Sequence, residues 1–183
     1  MPRTVFLSGP AGSGKTTVLR LSHDEKLAIW GRTAAVDTDQ LFLMVDPHWD
    51  LPYDDARTAL VLRQSAQLAE SFFGAGCENV LIAGNSIHDA VDLNPVIPCL
   101  LQLGRVFHVT LDPSAEAVLR RTADDPDRSP SDLMNDFRIP RATRSPWSAA
   151  VDNSVLTPLE TLQRIACLVQ SGDGEIHGLL ADS

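Results

Sequence analysis

The sequence predicts an α/β domain, a parallel sheet covered by helices on both faces. Short apolar segments recur between helical or loop stretches, a glycine-rich loop separates the first strand from the first helix, and two acids close the second strand. Five segments read as strands: residues 4–8, 34–36, 80–83, 106–111 and 149–151. At 183 residues the chain fits one domain with a substantial core, assigned to residues 1–171 with a C-terminal tail at 172–183.

The first strand, Thr4-Val5-Phe6-Leu7-Ser8, runs into Gly9-Pro10-Ala11-Gly12-Ser13-Gly14-Lys15-Thr16, and Thr16-Thr17-Val18-Leu19-Arg20-Leu21 continues as a helix. That loop fills every fixed position of the phosphate-binding pattern G-x-x-x-x-G-K-[ST]. Gly9, Gly12 and Gly14 reach backbone conformations closed to residues with a Cβ, so the N–H groups of the loop, from Ala11 and Ser13 on to Thr16 and Thr17, can turn inward around phosphate oxygens. The helix start adds its positive dipole end. Lys15 is placed to reach the β- and γ-phosphates. The Thr16 hydroxyl is placed to ligate a Mg²⁺ bridging them.

The second strand ends in Val36-Asp37-Thr38-Asp39, at the sheet edge where open α/β folds bind ligands. Strand alternation would aim both carboxylates the same way if the strand continued. A carboxylate there can orient an acceptor hydroxyl or take its proton, and can hold Mg²⁺ through water; alternatively, both acids cap the next turn. Downstream, Ala59, Leu62, Ala66, Ala69 and Phe73 form one apolar helical stripe, capped by Asp54 or Asp55 and ended by Gly74 and Gly76.

The third strand, Val80-Leu81-Ile82-Ala83, has the unbroken apolar character of a central strand and ends in Gly84-Asn85. After the fourth, Asp112-Pro113 opens a helix through Ala117 and Leu119 towards Arg121, and residues 122–130, polar and twice interrupted by proline, read as a loop. Beyond the fifth, Thr157-Pro158-Leu159-Glu160 is a capping box with proline at the first helical position. Leu159, Leu162, Ile165, Ala166 and Val169 follow on one face.

Composition narrows the function. Apolar residues make up 44% and charged residues 21%, near the globular average, and no apolar run has the length of a membrane span. The expectation is a soluble cytoplasmic protein, a monomer or homodimer. Cys77, Cys99 and Cys167 suggest neither a disulfide framework nor a zinc site. The net charge of −9 opposes nonspecific attraction to nucleic acid and to anionic membranes, and favours a small acceptor. Neither a D-x-x-G after the third strand nor an N-K-x-D motif is present, which argues against a GTP switch, and the ending Ala83-Gly84-Asn85 lacks the acidic pair of a hydrolytic motor.

Taken together, the loop of residues 9–16, Val36-Asp37-Thr38-Asp39, an arginine-bearing segment after the fourth strand, and Val151-Asp152-Asn153-Ser154 leading to Leu156-Thr157-Pro158-Leu159-Glu160 resemble the small P-loop kinases. These include shikimate and gluconate kinases, adenylylsulfate kinase and chloramphenicol phosphotransferase, and the likeness spans about residues 3 to 171. The resemblance implies a P-loop NTPase fold with strand order 2-3-1-4-5, ATP as donor, Mg²⁺ as cofactor and a lid at about 122–140. Asp37 then matches the catalytic acid and a metal partner, and Asp39 the second, acceptor-binding acid of a D-x-D. Residues 152–157, Ser154 among them, lie beside the adenine.

Arginines have their own rationale, because a guanidinium delivered by a closing loop stabilises charge on the transferring oxygens. Arg120, Arg121 and Arg128 are placed for this, Arg128 within the loop itself and Arg120 on the nucleotide side. Arg57 and Asn85 are candidate acceptor contacts, as are Arg63, Ser86, His88 and the aromatic, proline-rich segment 46–53. His108 reads as a packed core residue, and His23 and His177 as surface residues. The expected reaction is transfer of the γ-phosphoryl group of Mg·ATP to a small-molecule hydroxyl. A polynucleotide end kinase and a non-catalytic ATP-binding module are the alternatives.

Overall fold

The computed structural model describes residues 1–45, 55–84, 87, 90–123 and 147–179. The segment 46–53, Asn85, Ser86, His88, Arg128 and most of the expected lid lie outside the described residues, as does the side chain of either acid proposed to cap the helix after 54. In chain order the elements are β1 (Arg3–Ser8), α1 (Lys15–Leu19), α2 (His23–Trp30), β2 (Thr33–Asp37), α3 (Thr38–Val45) and α4 (Asp55–Gly74). They continue with β3 (Asn79–Ala83), α5 (Ile97–Leu103), β4 (Arg105–Leu111), α6 (Ala115–Arg121), β5 (Ala149–Val151), α7 (Pro158–Ser171) and β6 (Glu175–Ile176).

The five expected strands form one parallel sheet in the order β2-β3-β1-β4-β5. Side-chain alternation splits its core in two. Phe6, Val36, Val80, Ile82 and Val106 pack on one face against α3, α4 and α5, while Val5, Leu7, Leu81, Phe107, Val109 and Val151 pack on the other against α1, Trp30 of α2 and α7. The α4 stripe buries Leu62, Ala66 and Ala69, and Phe73 packs half-buried on the same cluster. In α7 the capping box is formed as expected, with Thr157 and Glu160 exchanging side-chain-to-backbone bonds. Leu159, read into the apolar face of α7, is instead 36% exposed.

Several elements depart from the sequence expectation. Ser22 and Glu25 form a capping box that starts α2, a helix with no clear apolar stripe to betray it. α6 is capped by Ser114, whose Oγ accepts the Ala117 N–H at 3.2 Å, and so starts beyond Asp112-Pro113. The chain after 171, read as a tail, first adds a strand: β6 pairs antiparallel with β4, and Ile176 is buried against it. Arg105 clamps Glu175 through two hydrogen bonds, 2.7 Å from Nε and 2.5 Å from Nη2.

This topology sets the site. β1 lies between β3 and β4, which run off to opposite sides of the sheet, so the loop leaving β1 emerges where the strand order reverses. Asp37 pairs in register with Ala83, and Ala83 with Leu7, so β1, β2 and β3 end at one level.

Candidate functional site

The glycines of the loop are needed where they stand. Gly9, Gly12 and Gly14 have φ of 133°, 74° and 97°. A Cβ on Gly9 would lie 2.4 Å from the Leu111 carbonyl oxygen, and one on Gly12 would lie 2.9 Å from Thr122 Cγ2. The loop is thus pressed between the end of β4 and helix α6, whose Val118 also packs on Ala11. α1 spans five residues, from Lys15 to Leu19, shorter than the helix expected to run to Leu21. Lys15, buried to 7% exposure, donates from Nζ to the carbonyls of Gly9 at 2.6 Å and Pro10 at 3.2 Å. Its ammonium therefore lies on the loop it is expected to serve.

A cleft of about 480 Å³ opens on this loop. One wall is the segment 11–18, which includes Gly12, Ser13, Gly14, Lys15, Thr16 and Thr17; Asp39 reaches it from α3, Arg121 and Thr122 from the end of α6, Asn153 and Leu156 from the segment before α7, and Pro158 and Thr161 from the first turn of α7. Thr16 is half-buried and Thr17 exposed.

The two acids do not share an orientation. β2 stops at Asp37 and α3 begins at Thr38, so the strand alternation expected to align them is lost. Asp37 Oδ1 instead accepts the Asp39 N–H at 3.0 Å, a cap on the first turn of α3. Asp39 lines the cleft, whereas Asp37 is not among the lining residues. Gly84, at the end of β3, makes room for this turn: a Cβ there would fall 1.9 Å from Thr38 Oγ1 and 2.8 Å from Asp39 Oδ1.

The arginines also divide. Arg121 donates from Nη1 to the Ser13 carbonyl at 3.4 Å and from Nη2 to the Asn153 carbonyl, beside the cleft. Partial burial, and then the like charge of Arg120, draw its pKa down, with Asp152 opposing. An anion in the cleft would relieve that repulsion. Arg120, read as the nucleotide-side arginine, is exposed and donates to the Ser154 carbonyl at 3.2 Å; it does not line the cleft. Ser154 is turned to Asp152 and to the start of α6: its Oγ donates to Asp152 Oδ1 and accepts the N–H of Ser114. Arg57 sits half-buried on α4 and does not line this cleft.

Asn153 was not singled out as a site residue. It is 3% exposed and donates from Nδ2 to the Ser13 carbonyl at 2.8 Å, tying the segment before α7 to the phosphate loop. Only its place in the stretch 152–157 pointed to it. Among the described residues no three His, Cys, Asp or Glu side chains gather. Among the same residues, no helix is long and apolar enough to cross a membrane.

No protein-family model matches the chain, and no curated protein matches it in sequence. Solved structures do match in fold. The APS kinase of Mycobacterium tuberculosis in complex with AMPPNP and APS is 21% identical, with 92% of this chain and 98% of that one covered at a TM-score of 0.63. The tunicamycin resistance protein of Deinococcus radiodurans is 17% identical over 92% and 96% of the two chains at 0.62. The shikimate kinase of Acinetobacter baumannii in complex with shikimate is 20% identical over 94% and 95% at 0.58. With its strand order, its glycine loop after β1 and these matches along nearly whole chains, the chain has the fold of the small P-loop kinases.

Proposed function

We propose that this chain is an ATP-dependent phosphotransferase that moves the γ-phosphoryl group of ATP to a hydroxyl of a small molecule. One observation carries the reading: a single cleft joins the glycine cradle and Lys15 to a carboxylate, Asp39, and a guanidinium, Arg121. The cradle fits a polyphosphate, because its three glycines hold conformations that a side chain would strain. Lys15 Nζ exchanges loop carbonyls for phosphate oxygens. Thr16, and Asp37 through water, would hold Mg²⁺, which supplies charge neutralisation at the β- and γ-phosphates when bound.

The acceptor hydroxyl, oriented by Asp39, attacks the γ-phosphorus in line. Its proton passes to the carboxylate, the new P–O bond forms, and the bond to the β,γ-bridging oxygen breaks to release ADP. Asp37 supports this by fixing the first turn of α3 and so the Asp39 backbone. Asp37 as the catalytic acid is the direct alternative, and the assay below separates the two. Arg121 steadies the transferring group from the α6 side. Arg128 as a further lid arginine, Asn85 and Arg57 as acceptor contacts, and a cytoplasmic site of action belong to the same reading. The acceptor class is an antibiotic or other natural product, a sugar acid or a nucleoside. The small polar ligands shikimate and APS in two of the solved relatives support it, and the net charge of −9 works against a polyanionic acceptor.

The test is a coupled ADP-release assay with Mg·ATP across a panel of small hydroxyl compounds. Acceptor-dependent turnover is expected in wild type, with losses of about a hundredfold or more in Lys15→Ala and Asp39→Asn. A larger loss in Asp37→Asn than in Asp39→Asn would reverse their roles. ATP binding with no turnover on the panel would leave an acceptor outside the panel or a binding module, and oligonucleotide ends are the next substrates to test.

A further inference from the structure

We infer that Asn153, seconded by Arg121, is a positioning residue that fixes the phosphate-binding state of the loop by holding the Ser13 carbonyl. The inference rests on the nucleotide-site reading above. Ser13 is fully buried, and its carbonyl oxygen accepts from two side chains remote in sequence, Asn153 Nδ2 at 2.8 Å and Arg121 Nη1 at 3.4 Å. Arg121 also donates to the Asn153 carbonyl, so the two donors brace each other. The loop, the end of α6 and the segment before α7 meet at this one oxygen.

The consequence follows from peptide geometry. In a planar trans peptide the C=O and the next N–H point in opposite directions. Anchoring the Ser13 oxygen on Asn153 therefore directs the Gly14 N–H away from Asn153, among the inward N–H groups that a phosphate loop offers an anion. Gly14 stands at φ 97°, in the left-handed region. Glycine crosses readily between the two signs of φ, so the Ser13–Gly14 peptide is intrinsically free to turn over, and an external hold is what selects one orientation. An asparagine suits the task. It is uncharged, so it neither competes with the phosphates nor repels them, and at 3% exposure its bond is shielded from water.

A positioning role predicts a loss confined to the phosphate end of the ligand. Calorimetric titration of wild type and Asn153→Leu with ATP, tripolyphosphate and adenosine reads it, because leucine comes close to asparagine in size but offers the Ser13 oxygen no donor and adds no charge. We expect ATP and tripolyphosphate to weaken about tenfold, the effect of one buried hydrogen bond, while adenosine binding is unchanged. Equal losses for all three ligands, a loss for ATP and adenosine alone, or no change would overturn the inference. A wild type that binds neither ATP nor tripolyphosphate would instead overturn the nucleotide reading, and the inference with it. A second measurement needs no variant: in ¹⁵N-labelled wild type, the Gly14 amide proton should move downfield on adding tripolyphosphate. A Gly14 resonance that does not respond to bound tripolyphosphate refutes the inference even if Asn153→Leu does not fold.

Discussion

Replacing Gly84 by alanine should separate acceptor chemistry from nucleotide binding. The added Cβ would lie 1.9 Å from Thr38 Oγ1, 2.8 Å from Asp39 Oδ1 and 3.1 Å from the Asp39 nitrogen. Ordinary contact begins near 3.4 Å, so Thr38 must withdraw by about 1.5 Å, the difference between 3.4 and 1.9 Å. Thr38 is fully buried and β-branched, so its hydroxyl has little freedom to rotate aside, and the first turn of α3 must move with it, carrying Asp39. Overpacking of this kind costs about 2 kcal/mol, a fall of about 4–8 °C in melting temperature for a chain of this length. Misplacing a reacting group by about 1 Å costs about a hundredfold in turnover. The phosphate loop lies on another strand, so KM for ATP should change by no more than about twofold. Thermal melting and steady-state kinetics with both substrates varied give all three numbers. Turnover within about threefold of wild type in a destabilised variant would refute the claim that the position of Asp39 limits the chemistry. A parallel loss of ATP binding would refute the separation of the two half-sites.

Two further predictions concern the strand after α7. Ile176→Ala should cost about 2–4 kcal/mol by chemical denaturation, because Ile176 is 1% exposed against β4; a cost near zero would show that β6 does not belong to the folded unit. Glu175→Gln should lower stability at pH 7 by about 1 kcal/mol, through loss of the two-bond clamp on Arg105. The clamp also carries a pH signature. Hydrogen bonding from Arg105 holds the Glu175 carboxyl below its ordinary value of 4.5. Its stabilisation is therefore complete above that unfolded value and fades as pH falls through the lower folded value. The difference between Glu175→Gln and wild type should shrink progressively as pH falls below 4.5, and a difference that stays constant on acidification would rule the ion pair out as its cause.

The strands and the phosphate loop were legible because their signals are local. Unbroken apolar runs mark strands buried on both faces, and Gly9, Gly12 and Gly14 stand where positive φ is required. The helices α4 and α7 announced themselves by stripes, and α7 also by its capping box. α2 carried a capping box too, Ser22 with Glu25, and was readable on that ground alone. β6 was not readable, because two residues, Glu175 and Ile176, make no periodic pattern and gain their strand only from β4 beside them.

Within the site, the residue types were legible and their division of labour was not. The sequence by itself determined a phosphate loop, a nearby pair of acids and a group of arginines, since each is a matter of residue type at short spacing. Which acid faces the cleft was decided by where β2 stops: the helix starting at Thr38 turns Asp37 into a cap and Asp39 into a lining residue. Which arginine meets the loop was decided by the phase of α6, which brings Arg121 to Ser13 and sends Arg120 to Ser154. The hold of Asn153 on Ser13 spans 140 residues of sequence. Local pattern carries no information about such a pair; packing β4, α6 and the segment before α7 around β1 creates it.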